Sequence, residues 1–129
     1  MDFERSKLWM ERVEYDIQTA EAMLEAGRYI YAVFMCQQAI EKGLKGFLAH
    51  GRREVLPIHN LRRIAELAEV VDDLGEDRLQ RLDFLSQYYI NARYKESLHD
   101  LQRGITEEFA RECIRFSKDV IQWLDQKMK

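Results

Sequence analysis

The stretch from Tyr31 to Leu48 constrains the fold more than any other part of this 129-residue chain. Drawn as a helix at about 100° per residue, it has two different packing faces. Large residues occupy one arc: Val33, Phe34, Ile40, Leu44, Phe47 and Leu48. Small residues occupy the other: Ala32, Cys36, Ala39, Gly43 and Gly46. Glycine inside a helix costs roughly 1 kcal/mol relative to alanine, so two glycines on one face predict the close approach of another backbone. We therefore expect a central helix that is contacted on two sides.

Two polar residues interrupt the apolar arc of this helix. Gln37 falls near the middle of the arc, and Glu41 falls near its edge one turn later. Burial of an amide or a carboxylate costs free energy unless the group is hydrogen-bonded or paired. One interpretation is a structural network that holds neighbouring helices in register through arginine, tyrosine or histidine partners. The other is that these two side chains line or brace a functional cleft.

Composition narrows the class of protein. With 47% hydrophobic and 33% charged residues, residues 1–129 are typical of one soluble globular domain. No apolar run approaches the roughly 20 residues that a membrane span needs, and the N-terminus does not resemble a signal peptide. Two cysteines without ligand-like spacing indicate reduced thiols in a cytoplasmic protein. The formal charge of −3 argues against non-specific binding of duplex DNA.

Other polar groups carry weaker signals. His50 and His59 lack nearby acidic ligands, so we expect no metal site there. No glycine-rich phosphate loop is present, and we expect no cofactor. An acidic patch lacks the spacing of a calcium loop and is more simply a solvated helix tip; it comprises Asp72, Asp73, Glu76 and Asp77. Four arginines flank the loop that contains Pro57, and they form either a basic rim for phosphate or an ordinary solvated surface; they are Arg52, Arg53, Arg62 and Arg63.

Helical periodicity runs through the chain, and no strand pattern competes with it. The first helix carries the stripe from Met10 to Leu24 and is closed by Gly27, and the central helix runs from about Arg28 to His50. A loop over residues 51–60 precedes a third helix, which Asn60 caps and which ends near Gly75. A fourth helix covers residues 77–92, residues 93–104 are polar and lose the period, and Thr106 caps the last helix. We predict an all-α fold, a five-helix up-and-down bundle.

Four short motifs, in order along nearly the whole chain, resemble the HEPN domain family. Residues 37–45 resemble its Q-Q-A-x-E-K-x-x-K motif. A first helix with Trp9 and Asp16 and the turn at residues 27–29 precede that motif, as in the family. Residues 59–61 resemble its H-[DN]-L helix start, and residues 91–94 resemble its A-R-Y element. The resemblance implies an all-helical domain of the HEPN and nucleotidyltransferase-substrate-binding type.

The resemblance also implies activities and partners. HEPN domains are usually dimeric and are associated with nucleotides and RNA, and many are encoded beside a minimal nucleotidyltransferase as a toxin and antitoxin pair. Many are metal-independent endoribonucleases with an R-x(4–6)-H motif, which Arg93 and His99 match. Arginine can bind phosphate bidentately and histidine can transfer a proton near neutral pH. Tyr94 departs from the family pattern, because catalytic members usually have Asn, Asp or His after the arginine.

Three hypotheses stay open on these grounds. The first is a nucleotide- or RNA-associated, toxin-like HEPN protein, in which Gln37, Glu41, Lys45 and Tyr94 support the site. The second is a metal-independent endoribonuclease that uses Arg93 and His99 at a dimer interface. The third is a non-catalytic module for dimerisation or docking. We further expect Arg93 to lie within reach of Glu41 or Gln37, and we expect a two-fold homodimer around the helix that ends at Arg93.

Overall fold

The computed structural model describes residues 1–89, 100 and 102–129, and this part of the chain forms six helices and no strand. The helices are α1 (Phe3–Glu25), α2 (Tyr29–His50), α3 (Leu61–Leu67), α4 (Val71–Leu74), α5 (Glu76–Ser86) and α6 (Glu107–Lys127). Helices α1, α3, α5 and α6 all pack against α2, which is the centre of the bundle. The predicted all-helical class is confirmed. None of the helices in this described part combines the length and hydropathy of a bilayer span.

Helix boundaries follow the capping residues that the sequence indicated. The Asn60 side chain accepts a hydrogen bond from the Arg63 amide (2.9 Å) at the start of α3. The Thr106 hydroxyl accepts one from the Phe109 amide (3.0 Å) at the start of α6. Gly27 follows the end of α1 with φ +75°, a left-handed conformation that glycine adopts without strain. These predicted ends are confirmed, as are the bounds of the central helix.

The small-residue face of α2 is contacted by two different helices, as its glycines predicted. A Cβ atom added at Gly43 would lie 2.5 Å from Ile121 Cδ1 of α6. One added at Gly46 would lie 2.9 Å from Trp9 Cβ of α1. Both helices therefore approach α2 more closely than an alanine at these positions would allow without adjustment.

The third predicted helix is wrong as a single element, because it divides into α3 and α4. The chain turns at Glu69, whose φ is +59°, and the Val70 amide donates to the Ala65 carbonyl (3.1 Å). On a straight continuation of α3, Val70 would lie off the buried stripe formed by Leu61 and Ile64. The turn buries Val70 and, through α4, Leu74 in the core. The turn between α3 and α4 is therefore accompanied by the burial of two apolar side chains, which stabilises the fold.

The fourth helix is shorter than predicted. It ends at Ser86, and the amides of residues 87–89 donate three residues back, the tightened pattern typical of a helix terminus. The Ser86 hydroxyl accepts a hydrogen bond from the Leu61 amide (3.0 Å), which ties this end to the start of α3. The predicted end at Ala92, and most of the polar stretch over residues 93–104, lie outside the described residues.

Candidate functional site around Glu41

A buried carboxylate on α2 is the centre of a polar cluster that joins three parts of the chain. Gln37, Glu41 and Lys45 are spaced by four residues and so lie on one face of the helix. Glu41 is 5% exposed. Its Oε1 accepts a hydrogen bond from Gln37 Nε2 (3.0 Å), and its Oε2 accepts one from Lys45 Nζ (2.9 Å). The burial of this charge is therefore offset by a paired cation and by hydrogen bonds.

A histidine from the loop before α3 completes the set of contacts to this carboxylate. His59 Nδ1 lies 3.1 Å from both Glu41 oxygens. Gln37 Nε2 also donates to the His59 backbone carbonyl (3.1 Å), so that α2 holds both the ring and the backbone of this residue. Asn60, the next residue, caps α3 and fixes the chain from the other side.

An aromatic ring covers one face of this histidine. The rings of His59 and Tyr89 are stacked, with centroids 4.0 Å apart and an interplanar angle of 12°. Tyr89 is half-buried and also contacts Phe34 of α2 (6.3 Å between centroids). The His59 side chain remains 42% exposed. We call Gln37, Glu41, Lys45, His59 and Tyr89 the Glu41 cluster; it joins α2, the start of α3 and the end of α5, and it is open to solvent at His59.

The predicted site residues fall into two groups. Gln37, Glu41 and Lys45 come together as one buried network, and Gln38 extends it by donating to Gln37 Oε1 (2.7 Å). Arg93, Tyr94 and His99 lie outside the described residues, so the pairing of Arg93 with Glu41 stays a prediction. Tyr89, a member of the cluster, is the last described residue before that segment.

His59 and Tyr89 are members of this cluster that the sequence did not indicate. Histidine is among the predicted partner types for Glu41, but the motifs assign His59 only to a helix start. The sequence signal that could have identified His59 is its position directly before Asn60, the N-cap of α3, because the start of a helix fixes the direction of the side chain before it. Tyr89 lies in none of the motifs, and nothing in the local sequence indicates that its ring covers a histidine from another loop.

A second buried ion pair uses the neighbouring lysine of the same motif. Lys42 Nζ donates to Asp16 Oδ2 of α1 (2.6 Å), and Asp16 is buried. Because residues 41 and 42 point in directions about 100° apart, the motif contributes to polar contacts on two sides of α2. One side is the Glu41 cluster, and the other joins α2 to α1.

Several of the remaining polar candidates have partners within the bundle. Arg62 contacts Asp83 (Nε to Oδ1 2.9 Å, Nη2 to Oδ2 2.8 Å), and this hydrogen bonding raises the pKa of the guanidinium. Arg53 donates to the Leu67 carbonyl at the end of α3 (3.1 Å). These contacts favour the structural interpretation of the arginines around the Pro57 loop. Over residues 1–89, 100 and 102–129, no group of three potential metal ligands comes together.

His50 and the two cysteines lie away from the cluster in packed surroundings. His50 is buried, with Nδ1 3.5 Å from Ser6 Oγ and its ring edge-on to Phe3. Cys36 and Cys113 are buried free thiols on α2 and α6. Burial raises the pKa of each thiol from 9.0 to about 12. Such thiols are poor nucleophiles, because the thiolate is the reactive form.

Comparisons with protein families, with individual proteins and with solved structures all find matches to this chain. The family model of the HEPN domain matches residues 6–127. A protein of Methanocaldococcus jannaschii named as a "putative toxin" is 25% identical over 135 residues, which cover 96% of this chain and 88% of that protein. The crystal structure of an archaeal HEPN homologue superposes with a TM-score of 0.78 at 27% identity, covering 98% of this chain and 100% of the other. The crystal structure of a Thermus thermophilus protein gives 0.79 at 27% identity, covering 97% and 99%.

Proposed function

Because this chain belongs to the HEPN domain family, we propose that it is a toxin-like protein that binds single-stranded RNA at the Glu41 cluster. The observation that carries the proposal is the half-exposed stack of His59 on Tyr89, in which the buried carboxylate of Glu41 contacts the His59 ring. Unpaired bases stack on aromatic side chains, and duplexes cannot present their bases in this way. The proposed toxin-like role follows the name of the Methanocaldococcus relative.

Fluorescence anisotropy with a labelled single-stranded RNA tests this binding. Tyr89→Ala removes the ring that stacks on His59, and base stacking of this kind contributes about 1–3 kcal/mol, so affinity falls roughly tenfold. Tyr15→Ala is the matched control, because Tyr15 is 72% exposed on α1, away from the cluster. Equal losses in the two variants, or equal affinity for duplex DNA, would contradict a site at the Glu41 cluster.

The second candidate function is metal-independent cleavage of RNA by Arg93 and His99. It is favoured by the buried carboxylate of Glu41, which holds His59 against Tyr89, because Tyr89 is only four residues before Arg93 in the sequence. Glu41 offers an anionic partner for that guanidinium. Arg93 would stabilise charge on the phosphate and His99 would transfer a proton. Purified protein is incubated with single-stranded RNA in EDTA. Cleavage that disappears in Arg93→Ala and in His99→Ala supports this activity, whereas cleavage that requires a divalent ion contradicts it.

We also propose that the protein forms a homodimer through the aromatic surface of α5 and α6. A groove of about 440 Å³ lies between these helices and is lined by Phe84, Leu85, Phe109 and Phe116 among others. Phe84 is 44% exposed and its ring contacts those of Tyr88 and Phe109, so this part of the surface presents aromatic rings of the kind that are enriched at interfaces. Sedimentation at tens of micromolar distinguishes a dimer from a monomer, and Phe84→Glu is expected to dissociate the dimer without unfolding the bundle.

The proposed partner in a cytoplasmic toxin–antitoxin setting is a minimal nucleotidyltransferase. The HEPN assignment and the name of the Methanocaldococcus relative support this proposal. Co-expression tests it directly: a nucleotidyltransferase encoded next to this protein relieves the growth arrest that this chain causes alone. If no arrest occurs and the purified chain neither binds nor cleaves RNA, the third hypothesis, a module for docking alone, is favoured.

A further inference from the structure

His59 is contacted on its ring nitrogen, its backbone carbonyl and its ring face by three different residues. Its Nδ1 faces both oxygens of Glu41, its carbonyl accepts from Gln37, and its ring stacks on Tyr89. Even so, its side chain is 42% exposed. A ring with a fixed orientation and an open edge is suited to proton transfer, because the reacting nitrogen then has a defined position.

We propose that His59 is a catalytic proton-transfer residue of the RNA site and that Glu41 positions it. This inference rests on the proposed cleavage of RNA. It assigns to His59 a role that the R-x5-H motif does not include, and it gives the buried Glu41 a function in the reaction.

The tautomer follows from the geometry. A carboxylate accepts hydrogen bonds, so the ring nitrogen that faces Glu41 carries the proton and donates it. The other nitrogen, Nε2, lies on the opposite side of the ring and has its lone pair available. Carboxylate–histidine pairs in hydrolases use the same arrangement, in which the acid orients the ring and the distal nitrogen accepts a proton. Lys45 and Gln37 hold the carboxylate itself, so that Glu41 cannot rotate away from the ring without losing both contacts.

The proposed step balances without an added oxidant or metal. His59 Nε2 takes the proton of a ribose 2′-hydroxyl, and the 2′-oxygen forms a bond to the adjacent phosphorus. The bond between phosphorus and the 5′-oxygen breaks, and that oxygen takes a proton from water. The products are a 2′,3′-cyclic phosphate and a 5′-hydroxyl. The protonated ring then returns its proton to the hydroxide formed from that water.

Two substitutions at His59 separate proton transfer from structural support. His59→Asn keeps an amide donor near Glu41 but has no second ring nitrogen, and His59→Phe keeps a ring to stack on Tyr89 but cannot transfer a proton. Glu66→Gln, an exposed change on α3, is the control. For each full-length protein we measure kcat for single-stranded RNA, affinity for its uncleavable 2′-deoxy analogue, and thermal unfolding.

If His59 transfers a proton, kcat falls about 100-fold or more in both variants and the fold is retained. Affinity for the analogue is retained in His59→Phe, which keeps a ring to stack on Tyr89, and falls roughly tenfold in His59→Asn, which lacks that ring. Full activity in His59→Phe shows that only stacking matters, and full activity in His59→Asn shows that only the hydrogen bond to Glu41 matters; either result overturns the proposal. A loss of affinity in His59→Phe as large as its loss of kcat assigns His59 to binding and also overturns the proposal. If His59→Phe does not fold, His59→Asn decides alone, because proton transfer requires its kcat to fall much further than the roughly tenfold expected for its affinity.

The failure of this inference differs from the failure of the proposed cleavage. If the wild type cleaves RNA and His99→Ala abolishes cleavage while both His59 variants are active, the cleavage proposal stands and the role of His59 is wrong. If the wild type cleaves no RNA under any condition, both are wrong.

Discussion

The two sides of α2 hold buried carboxylates in very different ways. On one side, Asp16 of α1 is paired with Lys42, the only partner that the described part of the chain provides for its carboxylate. On the other side, Glu41 is held by Gln37, Lys45 and His59 together. The first pair joins two long helices through their packed interface. The second group lies at the edge of the bundle, where His59 meets solvent.

This difference divides one sequence motif into a part for packing and a part for the site. The lysine at position 42 compensates a charge that would otherwise be buried alone, so its contribution is to stability. Gln37, Glu41 and Lys45 together hold His59 in place. Lys45 alone would compensate the charge of Glu41, so the additional contacts with Gln37 and His59 serve the position of the histidine. Predictions that compare the two sides test this division.

The largest expected effect is on the Asp16 side. Lys42→Met leaves a buried carboxylate without its cation, and we expect the free energy of unfolding to fall by an amount on the order of 3 kcal/mol. Urea denaturation measures it. The double variant Asp16→Asn/Lys42→Met recovers much of the loss, because no charge is then left unpaired. RNA affinity of the folded Lys42→Met protein stays at the wild-type level; a loss of affinity would place this pair in the site.

The matching change on the Glu41 side has a smaller effect on stability. After Lys45→Met, Glu41 keeps its contacts with Gln37 and His59, so we expect a loss of about 2 kcal/mol. Unlike Lys42→Met, this variant binds RNA more weakly, because the carboxylate that holds His59 is no longer anchored at Oε2. Urea denaturation and anisotropy are measured on the same preparations. If Lys42→Met and Lys45→Met lost equal stability, or if Lys45→Met bound RNA as well as wild type does, the proposed difference between the two sides of α2 would be wrong.

Glycine substitutions test the packing on the small-residue face. At Gly46 a Cβ would meet Trp9 Cβ, an atom close to the backbone of α1 that cannot move alone. Overpacking then exceeds the gain in helix propensity, and Gly46→Ala lowers stability by about 1 kcal/mol. At Gly43 the obstacle is the flexible end of Ile121, so Gly43→Ala is close to neutral. Thermal unfolding compares the two variants, and the reverse order would contradict the proposed contact geometry.

At ordinary pH, ionisation of the buried thiols has the smallest expected effect on the free energy of unfolding. Burial raises the pKa of Cys36 and Cys113 in the folded state to about 12 from 9.0. The folded protein therefore keeps protons that the unfolded chain releases, and stability is unaffected below about pH 9 and falls as the pH rises toward about 12. The pH dependence of the free energy of unfolding is compared between wild type and the double variant Cys36→Ala/Cys113→Ala, and the difference between the two is the contribution of the thiols. Iodoacetamide at about pH 8 should modify neither thiol until the protein is unfolded, and rapid modification of the native state would disprove their burial.

Much of the fold could be predicted from the sequence because its signals are local. Asn60, Thr106 and Gly27 act on their own helix ends, and the periodicity of α2 shows which side is packed. The break at Glu69 was missed because it depends on burying Val70 and Leu74 in a core built by other helices. The end of α5 was missed for a similar reason, since Ser86 bonds to the start of α3.

For the site, the sequence by itself determined that Gln37, Glu41 and Lys45 share one helix face and need polar partners, because helical spacing and the cost of burying charge are properties of the local chain. Only the tertiary structure decided that His59 supplies a partner and that Tyr89 covers its ring, because these residues are brought to α2 by α3 and α5. It also decided that Lys42 pairs with Asp16, because the packing of α1 against α2 brings that carboxylate to the lysine.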